Sequence, residues 1–114
     1  MTTTASDPDA VVVVLTTVGS EAAGAALARQ FVAEGLVACV NLVPGLRSIY
    51  RWQGEIEDAA ECLLVMKTAR RQLDALRARL HECHDYDTPE WLVLETAEVS
   101  PAYRAWLLGQ LASQ

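Results

Sequence analysis

The spacing of hydrophobic residues along this chain changes repeatedly, and each change marks the edge of an element. Val11-Val-Val-Val-Leu-Thr-Thr17 is an unbroken β-branched apolar run, the pattern of a strand covered on both faces. Gly19-Ser20 ends it, and Ser20 stands where an N-cap would accept a free amide of a following helix. From Glu21 to Glu34 the period lengthens: Ala23, Leu27 and Phe31 recur at helical spacing. Gly35 closes the segment with a residue that tolerates positive φ.

Alternation returns from Leu36 to Trp52. Val37, Cys39, Asn41 and Val43 would share one face, and Ala38, Val40 and Leu42 the other. Pro44-Gly45 interrupts this strand, which points to a bulge or an edge position. Gln53-Gly54 supplies a tight turn, and Glu55 to Thr68 is a second long strand, strongly apolar from Cys62 to Met66. From Ala69 to about Cys83, Leu73, Leu76, Leu80 and Cys83 step by three and four, an amphipathic helix. Pro89 forces a loop, Trp91 to Thr96 reads as a short strand, and Ser100-Pro101 opens a terminal helix with Pro at its first position.

The order is βαββαβ plus a C-terminal helix. That predicts an α+β, ferredoxin-like split β-α-β fold, with an antiparallel sheet and its helices on one face. Residues 1–9 read as a disordered tail ahead of one domain over 10–114. The central hairpin has arms of about 15 residues where strands usually run ~5–6. One small domain cannot cover such arms, and Ile49, Tyr50 and Trp52 near the tip would be wet. Exposed apolar edges invite pairing, so the pattern predicts an oligomer.

Composition narrows the function. With 9 basic and 15 acidic side chains among 114 residues the formal net charge is -6, which disfavours nucleic acid as a partner. The third motif strand, Cys62-Leu-Leu-Val-Met-Lys67, also lacks the aromatics that an RNA-recognition domain stacks on bases. No apolar run nears the ~20 residues of a membrane span, and the start lacks the features of a secretion signal. Three scattered cysteines, Cys39, Cys62 and Cys83, argue for a reducing cytoplasm over a disulfide framework. No phosphate loop or nucleophile elbow is present, so no reaction and no organic cofactor are read from the chain.

The densest chemistry is His81-Glu-Cys-His-Asp-Tyr-Asp-Thr-Pro-Glu90. Imidazole and thiolate are the usual ligands of copper and zinc. At about 100° per residue from Leu73, Cys83 and His84 flank the leucine stripe and His81 lies at its border. The alternative is structural: Cys83 as a core thiol and His84 as a helix-end residue bonding the last carbonyls. Cys39 and Cys62 read as small buried hydrophobes. The basic residues Lys67, Arg70, Arg71, Arg77 and Arg79 read as a solvated face.

Several segments in order resemble the CutA family of divalent-cation tolerance proteins, from about Val12 to Leu108. They are Leu36-Val-Ala-Cys-Val-Asn-Leu-Val-Pro-Gly45, Ser48-Ile-Tyr-Arg-Trp-Gln-Gly-Glu-Ile-Glu57, Glu61 through Thr68, His84-Asp-Tyr-Asp-Thr-Pro-Glu90 and Tyr103-Arg-Ala-Trp-Leu107. The resemblance implies an interlocked cytoplasmic homotrimer that binds metal ions, copper in particular, in a family that no enzymatic activity defines; some relatives serve as membrane-associated anchors, but nothing in this chain supports a membrane anchor. It places His84 in the family's His-x-Tyr-x-x-Pro-Glu motif and makes it the leading metal ligand, with Cys83 beside it. Copper-binding relatives can carry a cysteine at the end of the first strand, where this chain has Thr16 and Thr17. Trp52, Lys67, Tyr86 and Glu90 also match family positions, as lining of a cleft between subunits or as interface packing. Two other readings stand beside metal binding: a PII-like trimeric small-molecule sensor, and a trimeric scaffold with no ligand.

Overall fold

The structure, a computed structural model, describes residues 7–113. In chain order it has β1 (Val11–Val18), α1 (Glu21–Ala33), β2 (Cys39–Trp52) and β3 (Glu55–Ala69). A 3-10 turn (Arg70–Gln72) then leads into α2 (Leu73–Cys83), β4 (Leu92–Glu95) and α3 (Pro101–Gly109). The strands lie in the order β2-β3-β1-β4, with every neighbouring pair antiparallel. This is the expected ferredoxin-like arrangement.

Strand alternation divides the sheet into two unlike faces. Val14 sits opposite Met66 and Val18 opposite Cys62, so the even positions of β1 and β3 look the same way. They meet Leu27 and Phe31 of α1 and Leu76 and Leu80 of α2, which together form the main core. Helix α1 lies close on the sheet at Gly24, where an added Cβ would stand 3.0 Å from Leu64 and 3.1 Å from Val18. Ser20 caps the helix, its Oγ accepting from the Ala23 amide at 3.1 Å.

The odd positions, Val13, Leu15, Leu63 and Val65, are only half-buried. The expectation that β1 is covered on both faces therefore holds for one face within a single chain. The physical reason is that α1 and α2 both pack on the even face. Helix α3 reaches only one end, where Leu107 packs with Val11 and Ala38. On the open face Leu92 and Leu94 are 51% and 48% exposed. Cys39 lies there too and is half-buried, not a core residue; only Cys62 is fully buried.

The β2–β3 hairpin stretches the molecule to 44 Å along its long axis, against 26 Å and 23 Å across. A register shift between Val43 and Leu46 takes up Pro44-Gly45 as a bulge, so β2 continues past the proline. Gln53 and Gly54 both have positive φ, the type I′ form that suits a two-residue hairpin. Near the tip Trp52 is 50% and Ile56 69% exposed.

Two boundaries differ from the pattern-based reading. The helix expected from Ala69 begins instead with the 3-10 turn. Its Arg70 and Arg71 amides are taken by the carbonyls of Ala10 and Pro8, at 2.9 and 2.8 Å. Of the expected tail, residues 1–6 lie outside the described residues. Asp7–Asp9 form a turn, with Asp9 in an ion pair to Arg71 at 3.0 Å. At the other end Ser100 occupies the N-cap position of α3, but its side chain makes no capping bond.

Candidate functional site

The sequence put the end of α2 at about Cys83, and the helix does end there, with His84 as its C-cap. The His84 amide still bonds the Leu80 carbonyl at 2.8 Å, but its backbone is extended, at φ -80° and ψ 140°. The ring thereby leaves the helix surface and reaches β1, where Nε2 lies 2.7 Å from the Thr17 carbonyl oxygen. Thr17 shares strand parity with Val11, whose carbonyl takes the Thr96 hydroxyl just beyond β4. Both carbonyls therefore point to the β4 edge. Since β4 pairs with β1 only from Val12 to Leu15, His84 satisfies an acceptor the strand has left behind.

The other ring nitrogen is occupied as well. The Tyr86 amide donates to Nδ1 at 3.0 Å. A nitrogen that accepts an N–H has no proton of its own, so in the neutral ring Nε2 carries the hydrogen and donates it to Thr17. Backbone groups on both sides thus fix one tautomer.

Tyr86 completes the arrangement. Its ring tilts against His84, with centroids 4.6 Å apart. Its hydroxyl crosses the end of β1 beside Gly19 and donates to Glu61 Oε2 on β3 at 2.8 Å. Burial, and then the Glu61 carboxylate, push the Tyr86 phenol up to about 12. Glu61 is itself buried, at 9% exposure. Residues 84–86 act as a strap tied to β1 through an imidazole and to β3 through a phenol.

Beside the strap lies a cleft of about 270 Å³ between the end of β1, α1 and the end of α2. Val18, Gly19, Ala23, Cys83, His84 and Asp85 contribute to its wall. Cys83 is half-buried and also packs against the main core. The proposed pair, Cys83 and His84, therefore share one cavity.

The remaining candidates scatter. His81 is exposed, with Nδ1 2.8 Å from the Arg77 carbonyl of its own helix. Trp52 is out at the hairpin tip, while Lys67 is half-buried on the open sheet face opposite Val13 and Cys39. Glu90 is half-buried in the loop before β4. These residues and Tyr86 do not converge within one subunit. Thr16 is fully buried on the helix side, and its hydroxyl has no hydrogen-bond partner among the described residues.

The basic run is not uniformly a solvated face. Arg79 pairs with Glu34 at 3.0 Å and Glu82 at 3.1 Å, and Arg70 with Glu95 at 2.8 Å. Glu61 and Asp85 carry the site but were not singled out from the chain. For Glu61 the signal was a carboxylate directly before the apolar half of β3, Cys62 to Met66.

The CutA1 divalent ion tolerance protein model matches residues 12–110. The chain belongs to the CutA1 divalent ion tolerance family. A divalent-cation tolerance protein CutA of Thermus thermophilus is 46% identical over 95 residues, 83% of this chain and 92% of that one. A chloroplastic CutA of Arabidopsis thaliana is 41% identical over 96 residues, 84% of this chain but 53% of that protein. Among solved structures, CutA from Synechococcus elongatus superposes with a TM-score of 0.90 at 40% identity, covering 98% of this chain and 95% of that one.

The family name implies a divalent cation, and the donor types agree: thiol, imidazole and carboxylate lie along one wall. The arrangement agrees less well. No group of three or more His, Cys, Asp and Glu stands in metal-binding reach among the described residues. His84 as held has no free lone pair, because both nitrogens are bonded to backbone. An ion on His84 therefore requires one of those two bonds to open. No helix among the described residues is long and apolar enough to cross a membrane.

Proposed function

We propose that this chain is a cytoplasmic metal-binding protein, not an enzyme, and that it acts as a homotrimer in divalent-cation tolerance with copper as the leading ion. One observation carries the reading: Cys83 and His84 stand on the wall of the same cleft, with Asp85 beside them. Thiolate and imidazole are ligands of copper and zinc. Cys83 and His84 would hold the ion once His84 gives up a backbone bond.

The trimer is supported by the open sheet face. Leu15, Leu63, Val65, Leu92 and Leu94 form an apolar layer that no helix of the same chain fully covers. The four dispersed residues, Trp52, Lys67, Tyr86 and Glu90, would then serve a cleft between subunits. Such a cleft is also what a PII-like small-molecule sensor would use, and the half-buried Lys67 on the apolar face favours that second reading.

Calorimetric titration of chelator-stripped protein with Cu(I) under anaerobic conditions, Cu(II) and Zn(II) tests the first reading. Saturation at an integer ratio, lost in His84→Ala and in Cys83→Ser, is expected. Weak binding without saturation, unchanged in both variants, would remove it and turn attention to small molecules.

A further inference from the structure

Lys67 is the only lysine of the chain, and its charge is stranded. It lies half-buried on the open sheet face, opposite Val13 and Cys39, with Leu63 and Val65 on the same side of β3. The ammonium has neither a hydrogen bond nor an ion pair among the described residues. An ion partly removed from water and left unpaired costs free energy that an arriving carboxylate would recover. The same side of β3 carries carboxylates further along. The bulge at Pro44-Gly45 lies in β2, so β3 keeps its alternation out to the hairpin tip. Glu61, Glu57 and Glu55 therefore share the side of Lys67. Glu61 is taken by the Tyr86 hydroxyl. Glu57 and Glu55 have no partner among the described residues and stand opposite Tyr50 and Trp52, which are 44% and 50% exposed. At about 3.3 Å per residue, Glu57 is about 33 Å from Lys67 along the strand, a gap one chain cannot close on itself.

We infer that a second copy of the chain supplies the missing anion: Glu55 and Glu57 on the hairpin of one subunit pair with Lys67 on the sheet face of the next, while Tyr50 and Trp52 cover the apolar residues around it. The inference rests on the homotrimer reading above and adds which patches meet. Symmetry supports it. A two-fold dimer sets a patch against itself, whereas a closed ring of three joins two unlike patches at every contact. The open face has two unlike ends, one apolar with a cation and one aromatic with carboxylates. Each subunit gives a hairpin and receives one. The pairing also takes up the cation on which the small-molecule sensor reading leans.

A sole lysine makes the contact readable without mutation. Carbodiimide joins an amine to a neighbouring carboxylate with no spacer, and apart from the N-terminal amine only Lys67 offers one. Subunits with and without heavy nitrogen, mixed by refolding, should give isotopically mixed peptides that link Lys67 to Glu57 or Glu55. Sedimentation supplies the second arm. Lys67→Glu alone, and Glu55→Lys together with Glu57→Lys, should each assemble about a hundredfold or more weakly, the scale of like charges brought together. All three changes in one chain reverse both patches and should restore assembly, which a chain that merely failed to fold would not do.

An assembled chain whose Lys67 cross-links elsewhere or not at all would overturn the pairing and leave the trimer reading standing. Assembly unchanged in both reversed variants would do the same, as would a combined variant that stays apart. A monomeric unmodified chain would remove the trimer and the pairing together. An assembly of two subunits would remove the ring, and with it the one-way contact between unlike patches.

Discussion

Removing one oxygen atom from Tyr86 measures how firmly the strap is tied. In Tyr86→Phe the Glu61 carboxylate keeps its burial but loses the hydroxyl that donates to it at 2.8 Å. Hydrogen bonds to a charged acceptor contribute about 1.5–3 kcal/mol. Water reaches the rim of the tyrosine, so the lower end applies, about 1.5 kcal/mol at neutral pH. The pH dependence carries a sign. The folded-state phenol is raised to about 12, above its ordinary 10.0, so the fold favours the neutral form. Its contribution is complete below about pH 10 and is lost as pH climbs toward about 12.

Denaturant unfolding of both proteins at one fixed concentration, from about pH 8 to about pH 11.5, reads the difference directly. The gap should be flat to about pH 10 and narrow above it. Glu61→Gln combined with Tyr86→Phe should cost less than the sum of the two, because the pair shares one bond. A Tyr86→Phe protein within ~0.3 kcal/mol of the original at neutral pH would refute the account of the strap.

Thr16→Val exchanges an unpartnered buried hydroxyl for a methyl of similar shape. It should leave stability unchanged or raise it by up to about 1 kcal/mol in denaturant unfolding. Gly35→Ala should destabilise by more than about 2 kcal/mol. At φ +71° the new Cβ would stand 2.7 Å from the Ala112 amide nitrogen, where Ala112 also bonds the Gly35 carbonyl. Leu94→Arg puts a charge on the open sheet face. If that face joins the subunits of the proposed trimer, sedimentation should show a folded monomer, and an assembly unchanged from that of the original chain would contradict the assignment of that face.

The fold was largely legible because period and punctuation agreed with one another. Ser20, Gly35, Gln53-Gly54 and Pro101 fall at the element ends they announce. Alternation in β1 and β3 assigns Val14, Leu64 and Met66 to the core. Composition could not show that β1 would be covered on one face only. A half-buried Val13 and a buried Val14 are the same residue type, and only the count of helices on each side tells them apart.

The candidate site was legible as a neighbourhood but not as a mechanism. Cys83, His84 and Tyr86 were visible in the chain. The partners of His84 were not, because Thr17 contributes a carbonyl and Tyr86 an amide, groups that every residue possesses. Glu61 comes to Tyr86 across 25 positions, through strand register that no local pattern records. The helix-end reading of His84 foresaw a backbone carbonyl as its partner but placed that carbonyl in α2; it belongs to β1.

Zinc-edge X-ray absorption on the loaded protein addresses the claim that Cys83 and His84 hold the ion. The account predicts one sulfur at about 2.3 Å and imidazole nitrogen at about 2.0 Å, with the sulfur lost in Cys83→Ser and the imidazole signal lost in His84→Ala. A shell of oxygen alone, the same in all three proteins, would contradict it.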